Sequence, residues 1–407
     1  MRICLLTTST TAHQMGGTEV QAEILAAEAA RQGHDVLIIT TAHPKGLKAE
    51  ERNGYRVIYL DGTSHTMSRR TAPDWWRASA ERTEALCASG NMDVVWAANF
   101  SGLSYAALPR AARRPVISIV QGLAVRGEIA SNFGRVSTPG ELLYFLTRYA
   151  AQTLFYYIPR FRAMVRDSDL LIGVSNETVA ALEKEFPESR GKSVAILNPV
   201  DTEVFRPDPR LRAEGRGKIG FSPKNSVVLM SGVLHKQKGV HLGLEAFAAV
   251  CREFPGARLA IAGEGPERAR LQELCLDLGI SGKVAFRGLV PNAEMPLYYN
   301  AADIFLNPTL RLEGLPLVLL EAMSCGLPCV TSRIGGTGSS IEDGKSGYFT
   351  EPGNTRELSA KLRILLAGNE LRAGLSAGAR TRAVEVFDKR RVLKEYISAS
   401  RRVMDGQ

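Results

Sequence analysis

At 407 residues the chain is longer than one ordinary hydrophobic core accommodates, so two domains are expected. A composition of 45% hydrophobic and 23% charged residues is globular and excludes a disordered or fibrous protein. The formal charge of +9 is carried by dispersed lysines and arginines with no DNA- or RNA-binding motif, which favours a phosphorylated substrate or an anionic membrane over nucleic acid.

Ile3-Cys-Leu-Leu-Thr-Thr8 reads as a first buried strand, and residues 20 to 32 as a helix closed by Gly33. The N-terminus enters this strand without a cleavage-type segment, and no apolar run is long enough to span a bilayer, so a cytoplasmic protein is expected. Between strand and helix, the loop from Thr10 to Glu19 contains Gly16 and Gly17. Such a loop is either a plain tight turn or a place where backbone N–H groups approach a ligand. Further strands follow at 35–40, 55–60, 92–97, 115–120 and 170–175, with helical patterns between them, which argues for a parallel, doubly wound sheet. Ligands of such sheets bind at the carboxyl ends of the strands, where the Gly16 loop and the Gln121-Gly122 turn fall.

Residues 140–166 are dense in aromatics and punctuated by Arg148, Arg160, Arg162 and Arg166. They are expected to be core packing or, failing that, a surface touching an anionic membrane or a lipid-linked acceptor. The proline-rich stretch from Phe205 to Pro209 reads as a linker, which divides the chain into residues 1–203 and 204–387. A second α/β pattern then runs through strands at 227–231, 257–262, 284–287, 303–306 and 328–331. Gly263-Glu-Gly265-Pro resembles part of a dinucleotide fingerprint but lacks its third glycine and the following acid. Lys238, at the start of this domain's first helix, is either a solvated loop lysine or a point charge for a phosphate. The six cysteines form no C-x-x-C pair and are expected to be buried thiols; Cys325 and Cys329 have metal-ligand spacing but no accompanying histidine pair.

The most informative stretch is Glu313-Gly-Leu-Pro-Leu-Val-Leu-Leu-Glu321. Pro316 suits the first position of a helix opened by the Gly314-Leu315 turn. The N–H groups of Leu317, Val318 and Leu319 then make a site for phosphate at the positive end of the helix dipole. Glu321, flanked by Leu320, Ala322 and Met323, is costly to bury unless a partner such as a sugar hydroxyl satisfies it. A capped helix with two solvated glutamates is the plain alternative.

Taken in order, the runs Gly16-Gly-Thr-Glu19, Val174-Ser175, Asn198-Pro-Val-Asp201, Lys238-Gly239, Ala262 to Pro266, Phe286 to Leu289, Ala302-Asp303, Glu313 to Gly326 and Asp343 to Gly347 resemble retaining glycosyltransferases of the GT-B fold, family 4. The resemblance implies two Rossmann-like doubly wound domains facing across a cleft, with a last helix, about 388–407, crossing back to the first domain. It implies transfer of a sugar, with configuration kept, from a nucleoside diphosphate (UDP first, GDP or ADP otherwise) to a hydroxyl of a saccharide, lipid-linked or small-molecule acceptor. No prosthetic group and no metal would be needed, and the enzyme would act in the cytoplasm or at the inner face of the membrane.

By the same resemblance Glu321 would hold the ribose, Lys238 the diphosphate, Glu313 the sugar, and Gly16 and Gly17 would close on the diphosphate. Gly232, Leu289, Gly314, Leu315, Leu317 and Val318 would line the donor, and Gln121 stands where the family commonly has a histidine. Val233 stands where it commonly has an arginine. These two departures leave a nucleotide-sugar-binding protein without turnover as the alternative. Specificity is expected in loops such as 122–137.

Overall fold

The computed structural model describes residues 1–66, 70–133 and 139–406. They form two compact units: Met1–Ile129 with Val136–Pro199 and Lys389–Gln407, and Val200–Asp388 with Ala130–Arg135.

Unit 1 is built on an eight-stranded sheet of β1 (Arg2–Leu6), β2 (Asp35–Thr41), β3 (Ala49–Arg52), β4 (Tyr55–Leu60), β5 (Val94–Ala98), β6 (Val116–Val120), β7 (Leu170–Gly173) and β8 (Ser193–Ala195). The order is β3-β4-β2-β1-β5-β6-β7-β8, and every pairing is parallel except β3 against β4. β5 and β6 are buried along their whole length, which is why they read as unbroken apolar runs rather than alternating ones. Without the antiparallel edge strand, the order 4-2-1-5-6-7-8 is the doubly wound arrangement, with its reversal between β1 and β5. Helix α1 (Gly17–Arg31) follows β1 and ends at Gly33, whose φ of +82° suits glycine.

Unit 2 carries a six-stranded, all-parallel sheet of β9 (Ser226–Ser231), β10 (Ala257–Ala262), β11 (Val284–Phe286), β12 (Ile304–Asn307), β13 (Cys329–Ser332) and β14 (Gly347–Thr350), in the order β11-β10-β9-β12-β13-β14. Helices α2 (Val240–Val250) and α3 (Leu317–Ser324) follow β9 and β12. The core beside α2 packs Leu244 and Phe247 against Leu259, Ile304, Leu362 and Leu365.

The last helix, α4 (Lys389–Met404), belongs to unit 1. It buries Val392, Leu393, Tyr396, Ile397, Ala399 and Ser400, one stripe of an amphipathic helix. The indole N–H of Trp96, at the centre of β5, donates to the Ser400 hydroxyl at 2.9 Å.

Two expectations need correcting. The compact units divide after Pro199 rather than after residue 203, because Val200 N–H donates to the Phe387 carbonyl at 2.8 Å and the Thr202 hydroxyl bonds the Asp388 carboxylate. The Phe205–Pro209 stretch is not a linker: Phe205 is buried, and the Asp208 carboxylate accepts from Arg210 N–H at 2.8 Å, capping a helix over Pro209–Ile219. Of the expected specificity loop, residues 124–133 are helical and 134–138 lie outside the described residues.

Candidate active site

In unit 2 the strand order reverses between β9 and β12, so the loops leaving their carboxyl ends flank the crevice where a doubly wound sheet takes its ligand. These loops are tied together. Leu310 N–H donates to the Gln237 carbonyl at 2.8 Å, and Gly239, at φ +67°, sits so close that a Cβ there would lie 1.9 Å from the Pro308 carbonyl oxygen. The tie brings Lys238 and Glu313 together, with Nζ 2.6 Å from Oε1. Arg311 Nε stands 3.7 Å from the same oxygen. The second oxygen of Glu313, Oε2, is buried and has no hydrogen-bond partner among the described residues. A carboxylate oxygen buried without a donor is costly, and a ligand hydroxyl is the group that would relieve it.

The helix start behaves as the residue pattern anticipates, with one shift. Pro316 is the N-cap, with extended ψ of 121°, and the first helical residue is Leu317. Leu317 and Val318 N–H, in the first turn, have no intrahelical acceptor, whereas Leu319 N–H reaches back to the Pro316 carbonyl at 3.2 Å. The amides expected to meet a phosphate are therefore two rather than three.

Glu321, the fifth residue of α3, is 7% exposed. Burial pushes its carboxyl up to about 7, and the Tyr299 hydroxyl, donating to Oε2 at 2.8 Å, opposes that rise. Tyr299 also lies 3.3 Å from the hydroxyl of Ser231, the last residue of β9, which places Glu321 beside the carboxyl end of that strand. Tyr299 is the partner that sequence reasoning missed. Nothing in the run Met295-Pro-Leu-Tyr-Tyr-Asn300 distinguishes it from a core aromatic, and only the fold points its hydroxyl at Glu321.

Gly232, at φ +127°, opens the same loop as Lys238, and Leu289 follows β11 with 78% of its surface exposed. The dinucleotide-like glycines have a packing role. A Cβ on Gly263 would lie 1.9 Å from the Gly232 carbonyl oxygen, so that glycine lets the β10 loop rest on the β9 loop. Cys325 and Cys329 are buried free thiols, and among the described residues no cluster of His, Cys, Asp and Glu is arranged to hold a metal ion.

The unit 1 candidates gather at the carboxyl ends of β1 and β6. Gly16 caps α1, and the loop before it is held by Glu19, whose Oε1 accepts from the Gln14 side chain at 2.8 Å and from the Ser9 hydroxyl. Gln121, at the end of β6, donates through its side-chain amide to Gln21 and through its backbone N–H to the Asn99 side chain at 3.0 Å. Gln21 in turn donates to the Tyr396 hydroxyl at 3.3 Å, so α4 is linked by hydrogen bonds to the end of β6. Val233, in unit 2, is 58% exposed and brings no charge to the β9 loop.

Comparison with known proteins agrees with this fold. The family model described as Glycosyltransferase Family 4 matches residues 15–204, and that described as Glycosyl transferases group 1 matches residues 212–382. The chain is 29% identical over 396 residues to the GDP-mannose-dependent alpha-(1-6)-phosphatidylinositol monomannoside mannosyltransferase of Mycolicibacterium smegmatis, covering 94% of each chain. It is 25% identical to the N-acetyl-alpha-D-glucosaminyl L-malate synthase of Bacillus anthracis, covering 94% of this chain and 93% of that one. Among solved structures, sucrose-phosphate synthase from Thermosynechococcus elongatus superposes with a TM-score of 0.80 at 19% identity, over 100% of this chain and 99% of the other. Anabaena HepE in complex with UDP-glucose superposes with a TM-score of 0.73 at 20% identity, over 98% and 99%. The two family models lie end to end over nearly the whole chain, on two Rossmann-like units, and the chain belongs to the family 4 glycosyltransferases of the GT-B fold.

Proposed function

We propose that this enzyme transfers a sugar from a nucleoside-diphosphate sugar to a hydroxyl of a saccharide, lipid-linked or small-molecule acceptor, with the anomeric configuration kept. The observation that carries the reading is the buried, unpartnered Oε2 of Glu313, beside Lys238 at the reversal point of the unit 2 sheet. A sugar hydroxyl donating to that oxygen would hold the donor's pyranose there. The diphosphate then lies toward Lys238 and the Leu317 and Val318 amides. Tyr299 leaves Glu321 Oε1 for the ribose.

When the bond from the anomeric carbon to the β-phosphate oxygen breaks, negative charge develops on that oxygen and positive charge on the sugar ring. The ammonium of Lys238 and the helix start oppose the first, and the Glu313 carboxylate faces the second. The acceptor oxygen attacks from the face the diphosphate leaves, and its proton passes to a phosphate oxygen. Arg311, 3.7 Å from Glu313, supplies the fixed positive charge that Val233 does not. With two side-chain cations and a helix dipole at the leaving group, turnover is expected without a divalent metal. The relatives support both candidate bases: the mycolicibacterial enzyme is named for GDP-mannose, and HepE was solved with UDP-glucose.

The test is nucleotide release from a panel of UDP-, GDP-, ADP- and TDP-sugars in the presence of membrane extract as the acceptor source, comparing wild type with Glu313→Gln. Release from one donor, lost in the variant, is expected. Release from no donor, or release that Glu313→Gln leaves unchanged, would overturn the assignment.

A further inference from the structure

From Leu142 to Arg166 the chain contains no aspartate or glutamate and four arginines. It is helical throughout, as Pro139–Tyr144, Ala150–Gln152 and Ile158–Asp167 joined by two π-helical segments, Phe145–Tyr149 and Thr153–Tyr157. Each π segment adds a residue to its turn, so the mean period lengthens from 3.6 toward about 4 residues. Burial follows that longer period. Tyr149, Thr153, Phe161 and Val165, each four or eight residues from the last, are buried together with Tyr156 and Met164 of the adjoining row, and they fix the helix to unit 1. The rows at 142, 146, 150, 154 and at 143, 147, 151, 155 are exposed throughout.

Those exposed rows carry Leu142, Leu143, Leu146, Leu154 and Phe155, at 40%, 64%, 60%, 55% and 68% exposure. At an ordinary 3.6 period the leucines would share an arc of about 120° with Phe155 about 100° beyond it; the two π segments draw all five into an arc of about 90°. A contiguous apolar strip of this kind marks an interaction surface. Arg148 and Arg162 are exposed on the same stretch, whereas Arg160 is turned inward, stacked over Tyr156 and Trp76.

We propose that this strip is a membrane-docking face, lying in the plane of an anionic bilayer with Leu143, Leu146, Leu154 and Phe155 in the boundary between headgroups and acyl chains and Arg148 and Arg162 on lipid phosphates. No helix of the described residues is long and apolar enough to cross a membrane, so the stretch lies on the bilayer rather than through it. The sign of the charge selects the occupant. A second copy of the same face would set its arginines against these, whereas anionic lipid complements them. The face gives the enzyme access to a lipid-linked acceptor, yet it stands on its own, since lipid binding is read without turnover.

Flotation of the full chain with vesicles of phosphatidylcholine alone, and with added phosphatidylglycerol, tests it. Binding is expected only to the anionic vesicles. Leu143→Ser with Phe155→Ser should weaken it about tenfold or more, because two apolar side chains no longer leave water. Arg148→Glu with Arg162→Glu should weaken it comparably. Both double variants change exposed side chains, and unaltered thermal unfolding checks that they fold. No binding of wild type to anionic vesicles would overturn the proposal. So would binding that the charge variant abolishes but the apolar variant leaves intact, which is adsorption through the net charge alone. Concentration-dependent dimerisation of wild type, relieved by Leu143→Ser with Phe155→Ser and without vesicle binding, would assign the face to a second copy instead.

Discussion

Glu321 is held among Leu320, Ala322, Met323 and Tyr299 with one oxygen bonded by the protein, an arrangement that leaves its carboxyl near neutrality. Because the folded-state pKa lies above the ordinary carboxylate value, the folded chain binds the extra proton. Its contribution to stability is present below the unfolded pKa and is lost as pH rises to about 7, on the order of 3 kcal/mol in all. Hydroxyls donated by a ribose favour the ionised form, so donor binding should tighten as pH rises through about 7 and release a proton. Glu321→Gln should flatten that dependence; calorimetric titration of the nucleotide across this range measures it, and an unchanged pH profile in the variant would refute the role. At the neighbouring pair, Arg311→Ala should lower kcat by about 10- to 100-fold, less than the loss of a fully buried donor because the guanidinium is partly in water. Val233→Arg in that background should restore part of it. If Arg311→Ala changes KM alone, the arginine binds the donor without stabilising the leaving group.

Among elements, α4 is the piece whose removal has the widest reach, since Tyr396 packs its ring 5.3 Å from Trp96 and accepts a hydrogen bond from Gln21, the partner of Gln121. Tyr396→Ala should cost about 3–5 kcal/mol by leaving a cavity in unit 1. Tyr396→Phe should cost only about 1 kcal/mol while releasing Gln21 and Gln121 to reorient. Denaturant unfolding of the two variants separates packing from hydrogen bonding, and equal losses would show that the hydroxyl carries the effect. This helix was expected from the family resemblance, and its apolar residues recur at helical spacing after Asp388. The central strands were legible for the matching reason, as apolar runs bounded by turns. The β3 strand was not, because Ala-Glu-Glu-Arg is a four-residue antiparallel edge strand with no apolar alternation in its sequence. Nor was the helix at Pro209–Ile219: the prolines before it read as a linker, and within it Gly215 lets the Leu297 carbonyl approach, 2.2 Å from where a Cβ would stand. The Lys238–Glu313 contact could not be read at all, being set by two loops 75 residues apart meeting at a reversal of strand order. The sequence pattern marked each residue as notable, but only the sheet topology makes them neighbours.

For the molecule as a whole, from residue 139 onward the chain passes between its units twice, after Pro199 and after Asp388, and both passages are pinned at one place in unit 2. There Val200 pairs with Asp388 as an isolated parallel bridge, and Arg380 donates to the Thr202 and Phe205 carbonyls at 3.1 and 3.0 Å. The residues proposed to hold the donor, Lys238, Glu313, Glu321, Leu317 and Val318, all belong to unit 2, so nucleotide alone should stabilise that unit preferentially. At a hundredfold excess over its Kd a nucleoside diphosphate contributes about 2.7 kcal/mol. For a unit of this size that raises the transition by about 5–10 °C. Scanning calorimetry with UDP and GDP should therefore show the unit 2 transition moving up while that of unit 1 stays, and the better-matched base should give the larger shift. Glu321→Ala should remove the shift without lowering the unliganded transition, since it deletes a carboxyl whose burial is itself costly. A nucleotide that stabilised unit 1 instead, or stabilised Glu321→Ala as well as wild type, would place the donor away from the reversal of the unit 2 sheet.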